Sequence, residues 1–191
     1  MRTQILWERI DRPGHEISAL YSQADGWQLA GTALFANDGL PCELSYVIHC
    51  DLLWKTKTVS IHGQVGGKPV NVGIQHSSAG AWNFNGVHVP EVEGCIDIDL
   101  GFSPSTNLLP IRRLDLSIGS RAVVRAAWVK FPELSLELLE QVYTRLDLDH
   151  YLYESTDGSF RRELRVGPDG FVLEYPDYWR TDAIESVSAS T

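Results

Sequence analysis

The chain has 191 residues, 43% of them hydrophobic and 21% charged, and a formal net charge of -9 at neutral pH. That balance fits one folded domain with a real core and excludes a disordered chain, which would carry fewer apolar residues and denser charge. The acidity argues against nucleic acid as a partner, because Arg112–Arg113 and Arg161–Arg162 are the only compact basic stretches and both are too short to grip a phosphate backbone.

At the N-terminus, MRTQILWERIDRPGHE is interrupted by acidic residues before an apolar run of signal length forms. No later stretch approaches the ~18 apolar residues of a membrane span. No secretory signal or span is therefore expected, and the expected location is the cytoplasm. Turn signals then punctuate the whole chain: Asp25-Gly26, Asp38-Gly39, Gly66-Gly67, Asn85-Gly86, Asp157-Gly158 and Asp169-Gly170 all sit between apolar segments. Such pairs tolerate the positive φ angles of tight hairpins, so repeated short antiparallel strands are expected.

The segments between turns alternate with period two. In LSYVIHCDLLW, Tyr46, Ile48, Cys50, Leu52 and Trp54 share one face, and Val47, His49, Asp51 and Leu53 the other. CIDIDLGF places Cys95, Asp97 and Asp99 on one face and Ile96, Ile98, Leu100 and Phe102 on the other. PSTNLLP, bracketed by Pro104 and Pro110, cannot easily be a regular strand, and Thr106 and Asn107 can close a turn through their side-chain oxygens. RRLDLSI reads as a strand with Leu114, Leu116 and Ile118 on one face, and AVVRAAWVKF as a central strand buried on both sides. PELSLELLEQVYTRL is ambiguous. Leu134, Leu138, Val142 and Leu146 have helical spacing and the Leu and Glu content favours helix, yet Leu134, Leu136 and Leu138 alternate as in a strand. FRRELRV and FVLEY form a late hairpin closed by Pro168-Asp169-Gly170. Residues 1–182 are read as one domain, and the small, polar residues 183–191 as a flexible tail.

The series YVIHCDLLWKTKTVSI, AGAWNFNG, EGCIDIDLGFSPSTNLLPIRRLDL, AAWVKFPEL, QVYTRL, YLYES and DGFVLEYPDYW, over roughly residues 25–180, resembles the bacterial glycolipid-binding family, formerly a domain of unknown function. The long, chemically uneven block CxDxDLxxxPxTNxLPxRRL carries most of the likeness. The resemblance implies a mainly β, single-domain spiral β-roll, an antiparallel sheet curled into an incomplete barrel with little helix. It is similar in architecture to the Lol lipoprotein carriers and to a cofactor-free enzyme of the violacein pathway. With no export signal expected, lipoprotein shuttling is not part of the expectation.

On this reading the interior holds an amphipathic ligand, a glycolipid or similar molecule. Asp97, Asp99 and Arg113 would form a polar end for hydroxyls or a head group. The alternative use of the same residues is an Asp–Arg network that fixes the TNLLP crossover. Asn107 would contact the ligand or merely stiffen its loop. Trp54, Trp82, Trp128, Tyr143, Tyr151, Tyr153 and Tyr175 are spread over separate segments and could form an aromatic wall or ordinary core.

The six histidines form no HxH or HExxH pair, and no GxSxG elbow, Walker loop or GxGxxG fingerprint is present, so no metal and no cofactor are expected. His49 with Asp51 is the one hint of a base beside a carboxylate. Three cysteines without a CxxC pair read as buried free thiols. Besides binding, two other functions fit the sequence: a cofactor-independent enzyme on a hydrophobic small molecule, and a structural or interaction protein with a filled core and no ligand.

Overall fold

A computed structural model describes residues 2–155 and 158–187. In chain order the strands are β1 (Arg2–Arg9), β2 (Gly14–Gln23), β3 (Gly26–Asn37), β4 (Leu40–Cys50), β5 (Thr56–Val65), β6 (Lys68–His76), β7 (Trp82–Phe84), β8 (Val87–His88), β9 (Asp97–Leu100), β10 (Arg121–Lys130), β11 (Ser135–Arg145), β12 (His150–Ser155), β13 (Phe160–Val166), β14 (Val172–Tyr175) and β15 (Trp179–Val187). One helix, α1 (Leu108–Leu114), and two 3-10 turns, Pro90–Val92 and Ser105–Asn107, complete the described elements. The fold is thus mainly β: one 15-stranded, mostly antiparallel open sheet.

The strand order is β8-β7-β6-β5-β4-β3-β2-β1-β15-β14-β13-β12-β11-β10-β9. The chain starts in the middle, winds out to one edge at β8, crosses to the opposite edge at β9, and winds back until β15 pairs with β1. Hairpins join the outward strands. At Asp38-Gly39, Gly66-Gly67 and Asn85-Gly86 both turn residues have positive φ, the twist that matches two-residue hairpins. Among the described residues only β9 and β10 pair in parallel, which requires a crossover, and residues 101–120 with α1 supply it.

The sheet curls until its edges approach. Thr56 at the start of β5 donates its N–H to Ile96 O (3.2 Å) and accepts from Ile98 N through Oγ1 (3.1 Å). Trp82 of β7 donates Nε1–H to Cys95 O (3.1 Å). The segment from Asp97 to Ile111 fills the space inside, with Leu100, Phe102, Leu108, Leu109 and Ile111 all buried. Leu100, Phe102, Leu108 and Leu109 meet the inward residues of the outgoing strands, including Leu44, Tyr46 and Ile48 of β4 and Ile61 of β5, whereas Ile111 joins a second cluster with Val124, Tyr143 and Tyr151 of the returning strands. At the middle seam Trp7 is fully buried, packs edge-on against Phe171 (5.7 Å between centroids) and donates Nε1–H to Val172 O (2.7 Å). Burial of such a side chain stabilises by about 1.5–3 kcal/mol, and the indole hydrogen bond keeps its polar atom satisfied.

Several local expectations change. RRLDLSI is not a strand: Arg113 and Leu114 end α1, and Asp115, at φ 41, caps it with its N–H on Ile111 O. Pro110 is tolerated because it lies in the first turn, where N–H groups have no helical partner. β4 ends at Cys50, because Asp51 Oδ1 accepts the N–H groups of Leu53 (2.8 Å) and Lys55 (2.9 Å) and bends the chain. Leu52 and Leu53 are therefore exposed, and His49 and Asp51 no longer share a strand. β10 is second from an edge, and its first half, with Arg121, Val123 and Arg125 exposed, is not buried on both sides. The ambiguous segment is strand β11. Cross-strand pairing overrides its helical propensity, and Leu139, Gln141 and Tyr143 form its inward face while Leu138 is exposed. Of residues 183–191, residues 183–187 continue β15 along β1, and 188–191 lie outside the described residues, as does Asp157 of its turn pair.

Candidate functional site

The interior segment does not fill the roll completely. Between it and the returning strands lies a pocket of about 290 Å³. β9 and the residues after it supply Asp99, Leu100, Gly101 and Ser103, and the 3-10 turn supplies Asn107. The opposite wall carries six aromatic rings: Trp128 of β10, Tyr153 of β12, Phe160 of β13, Tyr175 of β14, Tyr178 of the following turn and Trp179 of β15. Arg9, at the inward end of β1, closes one side.

The rings hold one another edge to face. Tyr175 lies 5.5 Å from Tyr178 and 6.2 Å from Tyr153, and Phe160 lies 5.9 Å from Tyr153. Behind them Tyr143 packs against Tyr153 (5.2 Å) and donates its hydroxyl to Asn107 Oδ1 (2.8 Å). Asn107 in turn donates to Pro104 O (3.1 Å), so its amide is fixed on both sides. Gly101 makes room for the indole of Trp128: a β-carbon there would sit 2.7 Å from Trp128 Nε1 and 3.1 Å from Val129 O. Gly101→Val is expected to turn Trp128 into the pocket, seen as a shift in tryptophan emission and loss of ligand uptake. An unchanged emission spectrum would contradict that packing.

Asp99 faces the pocket and accepts one hydrogen bond from Gln141 Nε2 (2.6 Å), which also donates to Tyr153 Oη (3.1 Å). Burial lifts the Asp99 carboxyl to about 6, with the Gln141 amide opposing the rise. Burial also pushes the phenols of Tyr143, Tyr153 and Tyr175 upward, so all three remain protonated donors.

One hydrogen bond behind the lining lies a buried carboxyl, Glu16 of β2. Tyr46 donates to its Oε1 (2.6 Å), as does Ser103 (2.5 Å), while Oε2 has no hydrogen-bond partner. Ser105 Oγ lies 2.7 Å from both Tyr46 Oη and Ser103 Oγ, tying the interior segment to β2 and β4. Burial raises Glu16 to about 7, against the lowering effect of those hydrogen bonds and of Arg9. Arg9 is itself buried, forks onto Asp11 (2.7 and 3.4 Å), lies over the rings of Phe35 and Trp179, and leaves Nη1 without a partner.

Of the residues singled out in the sequence, Asp99, Asn107, Trp128, Tyr153 and Tyr175 line this pocket and Tyr143 stands directly behind it. The others lie elsewhere. Asp97 shares a strand face with Asp99 but is covered by α1, where Arg113 grips it through Nε (2.9 Å to Oδ1) and Nη2 (2.6 Å to Oδ2). That is the Asp–Arg network of the crossover, and neither residue lines the pocket. Burial holds the Asp97 carboxyl above the usual range even with the guanidinium bound. Trp54 stacks on Trp27 (4.2 Å) beneath the Arg112 guanidinium, and Trp82 stacks on His76 (4.3 Å). Tyr151 lines a separate cleft of about 200 Å³ with Arg112 and Arg145. Sequence reasoning missed Arg9, Glu16, Ser103, Gln141, Phe160, Tyr178 and Trp179. The inward alternation Thr3, Ile5, Trp7, Arg9 would have flagged the first of them.

The three cysteines are free and buried, and burial pushes Cys50 up to about 12 and Cys95 to about 11. Among the described residues, the one group close enough to hold a metal ion is Asp147, Asp149 and His150, in an exposed turn far in sequence from the pocket lining of β9. No helix among the described residues is long and apolar enough to cross a membrane.

Comparison with known proteins gives three findings. A family model described as "Putative glycolipid-binding" matches residues 4–181. The crystal structure of a DUF1089 family protein from Pseudomonas aeruginosa superposes with a TM-score of 0.77 at 34% identity, covering 86% of this chain and 91% of that one. A beta-barrel-like protein of the DUF1849 family from Brucella abortus superposes with a TM-score of 0.55 at 10% identity, covering 96% and 97% of the two chains, a likeness of fold alone. No curated protein matches the chain.

Proposed function

The chain belongs to the glycolipid-binding family, and from that premise we propose that it binds an amphipathic small molecule, a glycolipid or lipid-like ligand, whose polar head sits in the pocket beside Asp99. The observation that carries this reading is the lining itself: six aromatic rings face a few convergent polar groups, Asp99, Ser103, Asn107 and Arg9. Aromatic faces pack against sugar rings and hydrocarbon alike, and the polar groups orient what they hold. A volume of about 290 Å³ lies at the small end of ligand sites, so it suits a head group and the start of a chain, with the rest leaving through the mouth.

Native mass spectrometry of the purified protein, followed by organic extraction, tests the proposal. The expected result is a discrete lipid-sized adduct whose occupancy falls about tenfold in Trp128→Ala. Trp128 is half-buried, so that variant should keep its fold. A mass that stays bare after incubation with lysate lipids would overturn the reading.

A second reading, a cofactor-independent enzyme on a hydrophobic molecule, draws on Asp99 and Glu16, whose carboxyls are lifted to about 6 and about 7, where acid–base groups work. Recovery of the extracted ligand chemically unchanged after prolonged incubation with the protein counts against it.

A further inference from the structure

Resting on that reading of the pocket, we infer that its preferred ligands carry a cationic head, a protonated or quaternary amine on an apolar body, held between the Asp99 carboxylate and the aromatic wall. The starting point is charge balance. Arg9 lines the pocket and lies over Trp179, Lys130 lies over Trp128, and Arg162 lies over Phe160 and Tyr178. Each of these cations has its own carboxylate: Asp11 for Arg9 (2.7 Å), Glu137 for Lys130 (3.4 Å) and Asp177 for Arg162 (3.1 Å). Asp99 has none, and among the described residues its side-chain partner is the neutral amide of Gln141. The pocket therefore presents one uncompensated negative charge inside a low-polarity wall, which an incoming cation would neutralise.

The rings act in the same direction. Aromatic faces carry negative potential, and an organic cation within about 6 Å of a ring centroid is attracted to it. Three guanidinium or ammonium groups already exploit rings of this wall, while Tyr153 and Tyr175 pack beside the pocket with no such cation on them among the described contacts. A permanent anion would instead meet Asp99 at close range, with Arg9 already forked onto Asp11. The titratable and charged groups around Asp99 are the phenols of Tyr143, Tyr153 and Tyr175, all held neutral, Asp97, committed to Arg113, Arg9, forked onto Asp11, and Glu16, a second carboxyl one hydrogen bond behind Ser103. None of them supplies the missing positive charge.

The test compares three ligands with the same ten-carbon chain below their micelle-forming concentrations: decylammonium, decyl glucoside and decyl sulfate, titrated against the intact protein by tryptophan fluorescence and calorimetry. Decylammonium is expected to bind about tenfold more tightly than the glucoside at about pH 7.5. The advantage should vanish near pH 5, where Asp99 takes up a proton, and in Asp99→Asn at both pH values. Equal affinities at the higher pH overturn the inference, and tighter binding of decyl sulfate overturns it in favour of an Arg9 anion site. Glucoside binding without an ammonium advantage defeats this inference alone and leaves the pocket reading standing. Failure of all three chains to bind defeats both. Should Asp99→Asn not fold, the pH series on Glu16→Gln decides, because Glu16, one hydrogen bond behind Ser103, no longer titrates in that window.

Discussion

Glu16→Gln is expected to stabilise the protein by about 3 kcal/mol near pH 8 and to leave it almost unchanged near pH 4.5. Glu16 is buried, and burial lifts its carboxyl from the ordinary 4.5 to about 7. A group with a raised folded-state value favours the fold fully while protonated in both states, below about pH 4.5. It loses that contribution as pH climbs through about 7, because the folded protein must then bury a carboxylate that the unfolded chain leaves in water. Glutamine keeps the acceptor for Tyr46 and Ser103 and never ionises. Urea unfolding of both proteins at a series of pH values checks this. The wild type should fall away from the variant as pH rises, and parallel curves would show that Glu16 ionises as readily inside the fold as in the unfolded chain. The comparison must be between variants, because Asp99 titrates in the same direction and Asp11, held below its usual range mainly against its burial by Arg9 and Arg12, in the opposite one.

The second large effect is expected at the crossover. Arg113→Met should cost about 3 kcal/mol, since Asp97 is 1% exposed and would lose all three hydrogen bonds from the guanidinium. Asp97→Leu together with Arg113→Met removes the stranded charge as well and should recover most of that loss, because an apolar pair of similar volume needs no solvation. Denaturant midpoints of the four proteins of this cycle measure the coupling. If the double variant is no better than Arg113→Met, the pair acts by positioning α1 and not by balancing charge.

The turns and the strand alternation made most of the sheet legible in advance. Asp38-Gly39, Gly66-Gly67 and Asn85-Gly86 mark hairpins by local chemistry alone, and β4 follows its predicted faces up to Cys50. The failures have physical causes. RRLDLSI alternates by coincidence: the crossover that a parallel β9–β10 pair demands claims Arg113 and Leu114 for a helix, and nothing local announces a parallel pair. β11 has helical composition but is held as strand by neighbours on both sides.

At the pocket, Asp99, Asn107, Trp128, Tyr153 and Tyr175 could be singled out as polar or aromatic residues in the return half of the chain. Trp179 could not, because it reaches the pocket only where the first and last strands pair, and for Arg9 the one signal was the inward alternation of β1. Asp97 and Asp99 looked equivalent, and the cover over each, α1 in one case and open space in the other, separates them.

That meeting of β1 and β15 in the middle of the sheet also sets the order of events during synthesis. A nascent chain can zip β1 through β8 as local hairpins while still on the ribosome, but the open edge of β1 waits for the last strand to be made. Until then the half-built sheet displays an unpaired row of backbone donors and acceptors, the kind of template to which a neighbouring chain can add. Losing β15 would therefore open two edges at the centre of the sheet, those of β1 and β14, where loss of β8 or β9 only shortens a rim.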